Sequence, residues 1–308
     1  MKKFEYSGDE VGRRLIGFST ASIVVGVGIL TLPNMLAETN KTSDGWIAIL
    51  IAGVMSILFV TIIAKLASRF PRKTFYEYSS AITMRPIGFV LTLLYFIYFI
   101  LFVAYEVRSV SGIASNYLFD KTPQEVVSLI FLLTVIYAVS GSRAALLRLN
   151  VIFFPMVLTV VVLVQVMSFN YFDMTNLQPM IVTDLSGIWE GAKKCSYSFL
   201  GFEVLLFYIA YMDRPKDASK AAVSGLFAVI LLYLGIYIFS IGIFSQEGTA
   251  NLVIPTIEIA KEIKVPGQFF ERFESVFLTI WFMTVFNTAS MAFDVATIAV
   301  CSVFKKLG

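Results

Sequence analysis

The sequence predicts an all-α, polytopic helical membrane protein, and three observations carry that prediction. Of the 308 residues, 58% are apolar and only 15% are charged. The apolar residues stand in blocks of about 20 or more, the length that takes an α-helix across a bilayer core. Two of those blocks, the first and the sixth, are interrupted by glycine among polar or backbone-loosening neighbours.

In chain order the blocks are 13–37, 45–68, 86–118, 124–140, 145–169, 187–212, 220–245 and 268–304, eight expected spans. The first lacks the short apolar region and small-residue cleavage site of a signal peptide, so it is expected to stay attached. It contains Gly26-Val27-Gly28-Ile29-Leu30-Thr31-Leu32-Pro33. Each glycine costs about 1 kcal/mol relative to alanine in a helix interior. Pro33 has no amide hydrogen and disfavours helix at the residue before it. Inside a bilayer, freed backbone groups are tolerated only where protein or water meets them, which makes this stretch a candidate site. Close packing of another helix against the small residues is the second reading, and both are open on this stretch alone.

The loop from Glu38 to Gly45 leads to Trp46, expected as an interfacial anchor of the second span. The turn from Arg69 to Tyr78 is basic and aromatic, and reads as an amphipathic segment on lipid headgroups before Pro86 opens the third span. The third and eighth blocks exceed a perpendicular crossing and are expected to tilt. The remaining polar stretches, 169–186 and 246–266, are too short to build a core, so residues 1–308 form one expected membrane domain.

Charge and composition exclude several functions. With a net charge of +3 and no basic stripe, nucleic acid is not an expected partner. The chain has no histidine, which removes histidine zinc sites and Ser-His-Asp triads. Cys195 and Cys301 form no metal or disulfide framework. No nucleophile–base or metal constellation stands out, so no enzyme, catalytic residue, metal or cofactor is expected. Sixteen basic residues, among them Lys2, Lys3, Arg69, Arg72, Lys305 and Lys306, fall on one side of the eight-span topology. That asymmetry places both termini in the cytoplasm.

The second interruption, Lys194-Cys195-Ser196-Tyr197-Ser198-Phe199-Leu200-Gly201-Phe202-Glu203, resembles the first in design. Glycine-interrupted spans in corresponding positions point to an inverted-repeat transporter core with a site at the bilayer midplane. The first repeat is expected over about 13–169, and a partial second over about 187–304. Amides of Gly26, Val27 and Gly28, at the start of a half-helix, would suit a carboxylate. Carbonyls near Phe199, Leu200 and Gly201 would suit an ammonium. A zwitterion satisfies both. Thr31 and Ser198 complete the backbone segments. Tyr98 and Phe102 share a helical face with Glu106, and Asn287 and Thr288 are the polar residues of the eighth span. For Tyr98 and Thr288, ligand contact and helix–helix hydrogen bonding are both open; for Phe102 and Trp281, packing is the plainer expectation.

Ionisable groups in spans need the same weighing. Glu203 reads either as a functional carboxyl or as a lock on the broken helix. Glu106, Arg108, Glu271, Arg272 and Glu274 read as an ion network near the outer ends of the third and eighth spans. Asp294 has no partner that the sequence names, and Arg143 and Arg148 read as snorkelling cations.

Gly26-Val27-Gly28-Ile29-Leu30 with Pro33, Phe70-Pro71 with Glu77-Tyr78, Ser198 to Glu203, and Phe270 to Glu274 followed by Trp281 together resemble the B subunits of GerA-type spore germinant receptors. These belong to the spore germination permeases of the amino acid-polyamine-organocation superfamily. The resemblance covers essentially the whole chain. It implies a LeuT-like, five-plus-five inverted-repeat fold, residence in the spore inner membrane, recognition of a small germinant such as an amino acid, and A and C subunits as partners. The family pattern has two further spans, so the second repeat is expected to be incomplete here. No lysine stands in the middle of the fifth span, where Pro155, Met156 and Thr159 lie, and lysine-mediated proton coupling is unsupported. Two functions follow: a nutrient sensor that binds a small neutral amino acid and signals through partner subunits, or a permease, proton-coupled or not, that uses the same site.

Overall fold

The computed structural model describes residues 11–119, 121–263 and 273–304. Twelve α-helices order these residues: α1 (Arg13–Val25), α2 (Gly28–Asn40), α3 (Gly45–Ala67), α4 (Phe75–Ile82), α5 (Arg85–Tyr117), α6 (Gln124–Val139), α7 (Arg143–Met167), α8 (Leu185–Ser196), α9 (Leu205–Tyr208), α10 (Ala218–Asn251), α11 (Pro255–Glu262) and α12 (Phe273–Phe304). Helices α3, α5, α7, α10 and α12 are each long and apolar enough to cross a membrane, and the bent pair α1–α2 makes a sixth span. The predicted fourth span is the 16-residue α6, and the predicted sixth is divided among short helices. The protein is an integral membrane protein.

The bend between α1 and α2 is 49° and falls at Gly26-Val27, where the sequence places it. Pro33 lies inside α2 and cannot donate to the carbonyl four residues back, that of Ile29. The hydroxyl of Thr256, at the start of α11, donates to that carbonyl at 3.1 Å. The second interruption comprises α8, a 3-10 turn over Tyr197–Phe199, extended Leu200, Gly201 at φ +115°, and a 3-10/α run from Phe202 to Tyr211. An L side chain rarely adopts that φ, and a Cβ at Gly201 would meet Ile23 of α1 at 3.1 Å, so glycine is required twice over. The predicted end of the seventh span at 245 coincides with a break in α10, where Ser245 stands at φ 62°.

Helix α12 packs along α5 and α7, while α10 packs against α1, α2 and α3, so the two interruptions are enclosed by long helices. Helix α4 differs from its expected role. Its start is fixed by a capping box between Thr74 and Glu77, but Phe75 and Tyr78 are buried in the protein rather than turned to headgroups. Phe75 lies against Phe207 of α9 at 4.9 Å between ring centroids, and the Tyr78 hydroxyl donates to the Leu206 carbonyl. The segment therefore holds the far half of the second broken helix.

On the opposite side, Asp44 precedes α3 and accepts from the amides of Ile181, Val182 and Thr183 and from the Thr183 hydroxyl, at 2.6–2.9 Å. Ser43 donates to the carbonyls of Leu177 and Pro179. The loop before α8 is thus strapped to the start of α3.

Candidate functional site at the paired helix breaks

The two breaks meet. A Cβ at Gly28 would lie 3.0 Å from Ser198 Cβ and 2.6 Å from the Tyr233 hydroxyl, so the start of α2 reaches the second break only because residue 28 is glycine. The Tyr233 hydroxyl, on α10, stands 2.9 Å from the Val24 carbonyl and 3.0 Å from that of Ser198, joining the two interruptions. A helix end leaves up to four carbonyls without intrahelical partners. In the last turn of α1 and at Gly26 just beyond it, three carbonyls are met from other helices: Ser22 by the Thr288 hydroxyl at 3.1 Å, Val24 by Tyr233, and Gly26 by the Trp281 indole at 3.1 Å. Trp281 is therefore more than the packing residue expected, since its N–H completes the break. Tyr233 had no sequence signal beyond being a tyrosine inside an apolar block, where a buried hydroxyl needs a partner.

Glu106 is the largest correction. It takes no part in an outer ion network: it is 2% exposed on α5, its Oε1 lies 2.8 Å from the Cβ position of Gly26, and its carboxyl faces the Val27 amide. Its other oxygen, Oε2, has no hydrogen-bond partner. Arg108 instead donates to Gln124, and Glu271 and Arg272 lie outside the described residues, as do Phe270, Lys264, Lys2, Lys3, Lys305 and Lys306. One of the amides expected to bind a ligand carboxylate is thus already faced by a carboxyl of the chain itself.

Around the second break, Glu203 Oε2 accepts from the Gly201 amide at 2.7 Å, which supplies the helix-locking contact. The Tyr98 hydroxyl faces the same carboxyl without a partner at hydrogen-bonding distance. Tyr98 lies 6.2 Å from Phe102 between ring centroids, so the face read from their spacing is real. Phe199 is fully buried against Tyr233, at 5.3 Å. Thr31, Ser198, Leu200, Tyr98 and Phe102 are part-buried. Asn287 is fully buried with neither end of its amide partnered, and the hydroxyls of Ser22 and Ser290 are likewise unpartnered. Among the described residues no cluster of His, Cys, Asp and Glu could hold a metal ion. Cys195 and Cys301 are both free.

Asp294 finds its partner in Arg143, with bonds of 2.8 and 3.1 Å to the two carboxylate oxygens. The guanidinium also lies 4.5 Å from the centroid of Tyr211. Arg143 is thus a bound ion-pair partner and not a snorkelling cation. The pair ties the start of α7 to α12 and to the end of the second broken segment, beside which Val11 bridges to Met212.

A helical membrane bundle with two apposed interruptions, flanked by long helices, is the LeuT-like fold. A solved structure of a Na+-coupled sialic acid symporter, substrate-bound and outward-open, superposes over 98% of this chain and 67% of its own, with a TM-score of 0.74 at 14% identity. The family model described as spore germination protein matches residues 14–307. The chain is 39% identical to the spore germination protein GerLB of Bacillus cereus over 100% of its own length and 83% of that relative's. It is 33% identical to YndE of Bacillus subtilis (strain 168), covering 92% of this chain and 78% of the relative, and 30% identical to spore germination protein A2 of the same organism, covering 87% and 73%. The chain belongs to the spore germination permease family, and the resemblance to germinant-receptor B subunits read from its motifs is borne out.

Proposed function

We propose that this chain is the nutrient-sensing subunit of a spore germinant receptor, and that a small neutral amino acid binds where the two helix breaks meet. The carrying observation is the apposition of Gly28 with Ser198 under the Tyr233 hydroxyl. Residues that complete the interruptions come from α5, α10 and α12, so a ligand seated there would favour whichever arrangement of these helices binds it better. Gly26, Val27, Gly28, Thr31, Tyr98, Phe102, Ser198, Phe199, Leu200, Gly201, Glu203 and Thr288 form the proposed contact set. The chain acts as one membrane domain whose two repeats, about 13–169 and about 187–304, move against each other. It sits in the spore inner membrane with both termini cytoplasmic and passes the change to A and C subunits. The family membership and the names of the germination relatives support this reading.

The second reading is an amino-acid permease that alternates access at the same site, with Glu203 as proton acceptor. The symporter fold and the Tyr98 hydroxyl facing Glu203 favour it. Purified protein in proteoliposomes separates the two. The sensor predicts saturable amino-acid binding with no uptake above protein-free vesicles, and co-purification with A and C subunits from native membranes. Robust saturable uptake would establish the permease instead.

A further inference from the structure

We propose that the segment joining α3 to α5 binds the headgroups of anionic phospholipid, and that the bound lipid braces the second helix break through α4. This rests on the reading that the ligand site lies at the breaks, and it adds a lipid regulator to that site. From Gly45 to Tyr105 the chain carries five basic residues, Lys65, Arg69, Arg72, Lys73 and Arg85, and one acidic residue, Glu77. All five basic residues are exposed, and neither of the ion pairs found among the described residues involves them. The Glu77 carboxylate accepts from the Thr74 amide at 2.9 Å in the capping box of α4. The patch therefore holds positive charge that its own segment does not neutralise.

Its position selects lipid as the occupant. Lys65 continues the face of α3 that carries the exposed Leu58 and Ile62, and Arg85 opens the face of α5 that carries the exposed Phe89 and Leu93. Exposed apolar faces of membrane-crossing helices meet lipid tails, so the charges stand where tails end and headgroups begin. An anionic membrane surface favours such clusters on the order of fivefold per basic residue. An acidic protein segment would have to cover the lipid-facing ends of both helices to engage the same charges.

Behind the patch, contacts run inward to the site. Lys73 Nζ lies 5.9 Å from the centroid of the Phe70 ring, and Phe70 stacks on Tyr78 at 5.4 Å between centroids. The Tyr78 hydroxyl in turn donates to the Leu206 carbonyl at 3.0 Å, and Phe75 packs on Phe207. Leu206 and Phe207 belong to α9, which follows the second break directly. A headgroup that orders residues 69–73 therefore favours the arrangement of α4 that holds α9 in place.

The test uses the full chain in nanodiscs of phosphatidylcholine, with or without phosphatidylglycerol. It needs no amino acid, so its outcome is independent of whether one binds at the breaks. Native mass spectrometry reads the lipid retained on extraction into detergent, and amide hydrogen exchange reads protection of residues 202–211. Phosphatidylglycerol is expected to be retained about tenfold or more over phosphatidylcholine and to slow exchange over 202–211. Arg69→Gln, Lys73→Gln and Arg85→Gln together are expected to abolish both effects, and Arg69→Lys with Arg85→Lys to keep both. Should the triple variant lose its cooperative unfolding transition, Lys65→Gln with Arg85→Gln supplies the same comparison. Tyr78→Phe is expected to keep the lipid preference and lose its effect on exchange. Equal retention of the two lipids overturns the proposal, as does a preference that survives loss of the charges in a folded variant. Phosphatidylglycerol that binds without slowing exchange, or that slows it equally in Tyr78→Phe, overturns the brace. Saturable binding of inorganic phosphate, or of a polyglutamate peptide, without any lipid preference assigns the patch to a free anion or an acidic partner and overturns the lipid.

Discussion

At the scale of single residues, the breaks are held by side chains that donate to the freed carbonyls of α1 or, as Glu203 does, accept from an amide at the interruption. The Tyr233 hydroxyl serves carbonyls on both interruptions, so Tyr233→Phe leaves buried acceptors without a donor. A loss of about 1–2 kcal/mol in unfolding free energy is expected, measured in detergent against the wild-type chain. Gly201→Ala should cost about 1–2 kcal/mol, because its φ of +115° disfavours any side chain and Ile23 stands in the way. Gly26, Gly28 and Gly201 were legible in the sequence, since glycine and proline act on their own backbone whatever surrounds them. Glu106 was legible as to helical face and not as to neighbour: its spacing from Tyr98 and Phe102 gives the face, but the depth at which α1 breaks is set by another segment of chain. Trp281 and Tyr233 were hidden for a related reason, because an aromatic residue in an apolar block looks the same whether its polar atom has work or not.

At the scale of elements, two local devices carry distinct expectations. Pro33 frees the Ile29 carbonyl and Thr256 fills the vacancy from α11. Thr256→Val should cost about 1 kcal/mol in the native background and much less when Pro33→Ala supplies an amide to Ile29, a coupling that a double-mutant cycle in thermal unfolding reads directly. The strap between Asp44 and the loop before α8 depends on pH. Burial alone would raise the Asp44 carboxyl, but the amides of Ile181, Thr183 and Val182 and the Thr183 hydroxyl outweigh it and hold the group below the ordinary carboxylate range. A carboxyl depressed on folding stabilises fully above its unfolded value of about 4 and loses that contribution as pH falls through the lower folded value. Protection of residues 168–184 from proteolysis should therefore be constant from neutral pH to about 5 and fall away below about 4. Asp44→Asn should lower protection throughout and remove the acid step. Helix boundaries were largely legible, down to the break of α10 at Ser245, because apolar block length and turn residues are local signals. The inward turn of α4 was not, since an amphipathic aromatic face suits a lipid surface and a protein groove equally well.

At the scale of the whole molecule, distant segments are tied by contacts that no local pattern announces. Arg143 and Asp294 are 151 residues apart, and their pair joins α7, α12 and the second broken segment. Arg143→Ala leaves a buried carboxylate behind and should cost on the order of 3 kcal/mol, whereas Arg143→Met with Asp294→Leu should lose far less, as thermal unfolding of the single and double variants will read. The bundle class and the pairing of the two interruptions could be anticipated, because an inverted repeat requires a second break where one is found. The contacts that complete each break could not, because they arise only once α5, α10 and α12 are folded around it. The central claim is that the apposed breaks form the ligand site. Its most direct test is binding of a panel of small amino acids to the purified chain, repeated with Gly26→Ala and Thr288→Ala. Saturable binding of at least one neutral amino acid, weakened tenfold or more in variants that remain folded, is the predicted result. Unchanged affinity in both folded variants would contradict it.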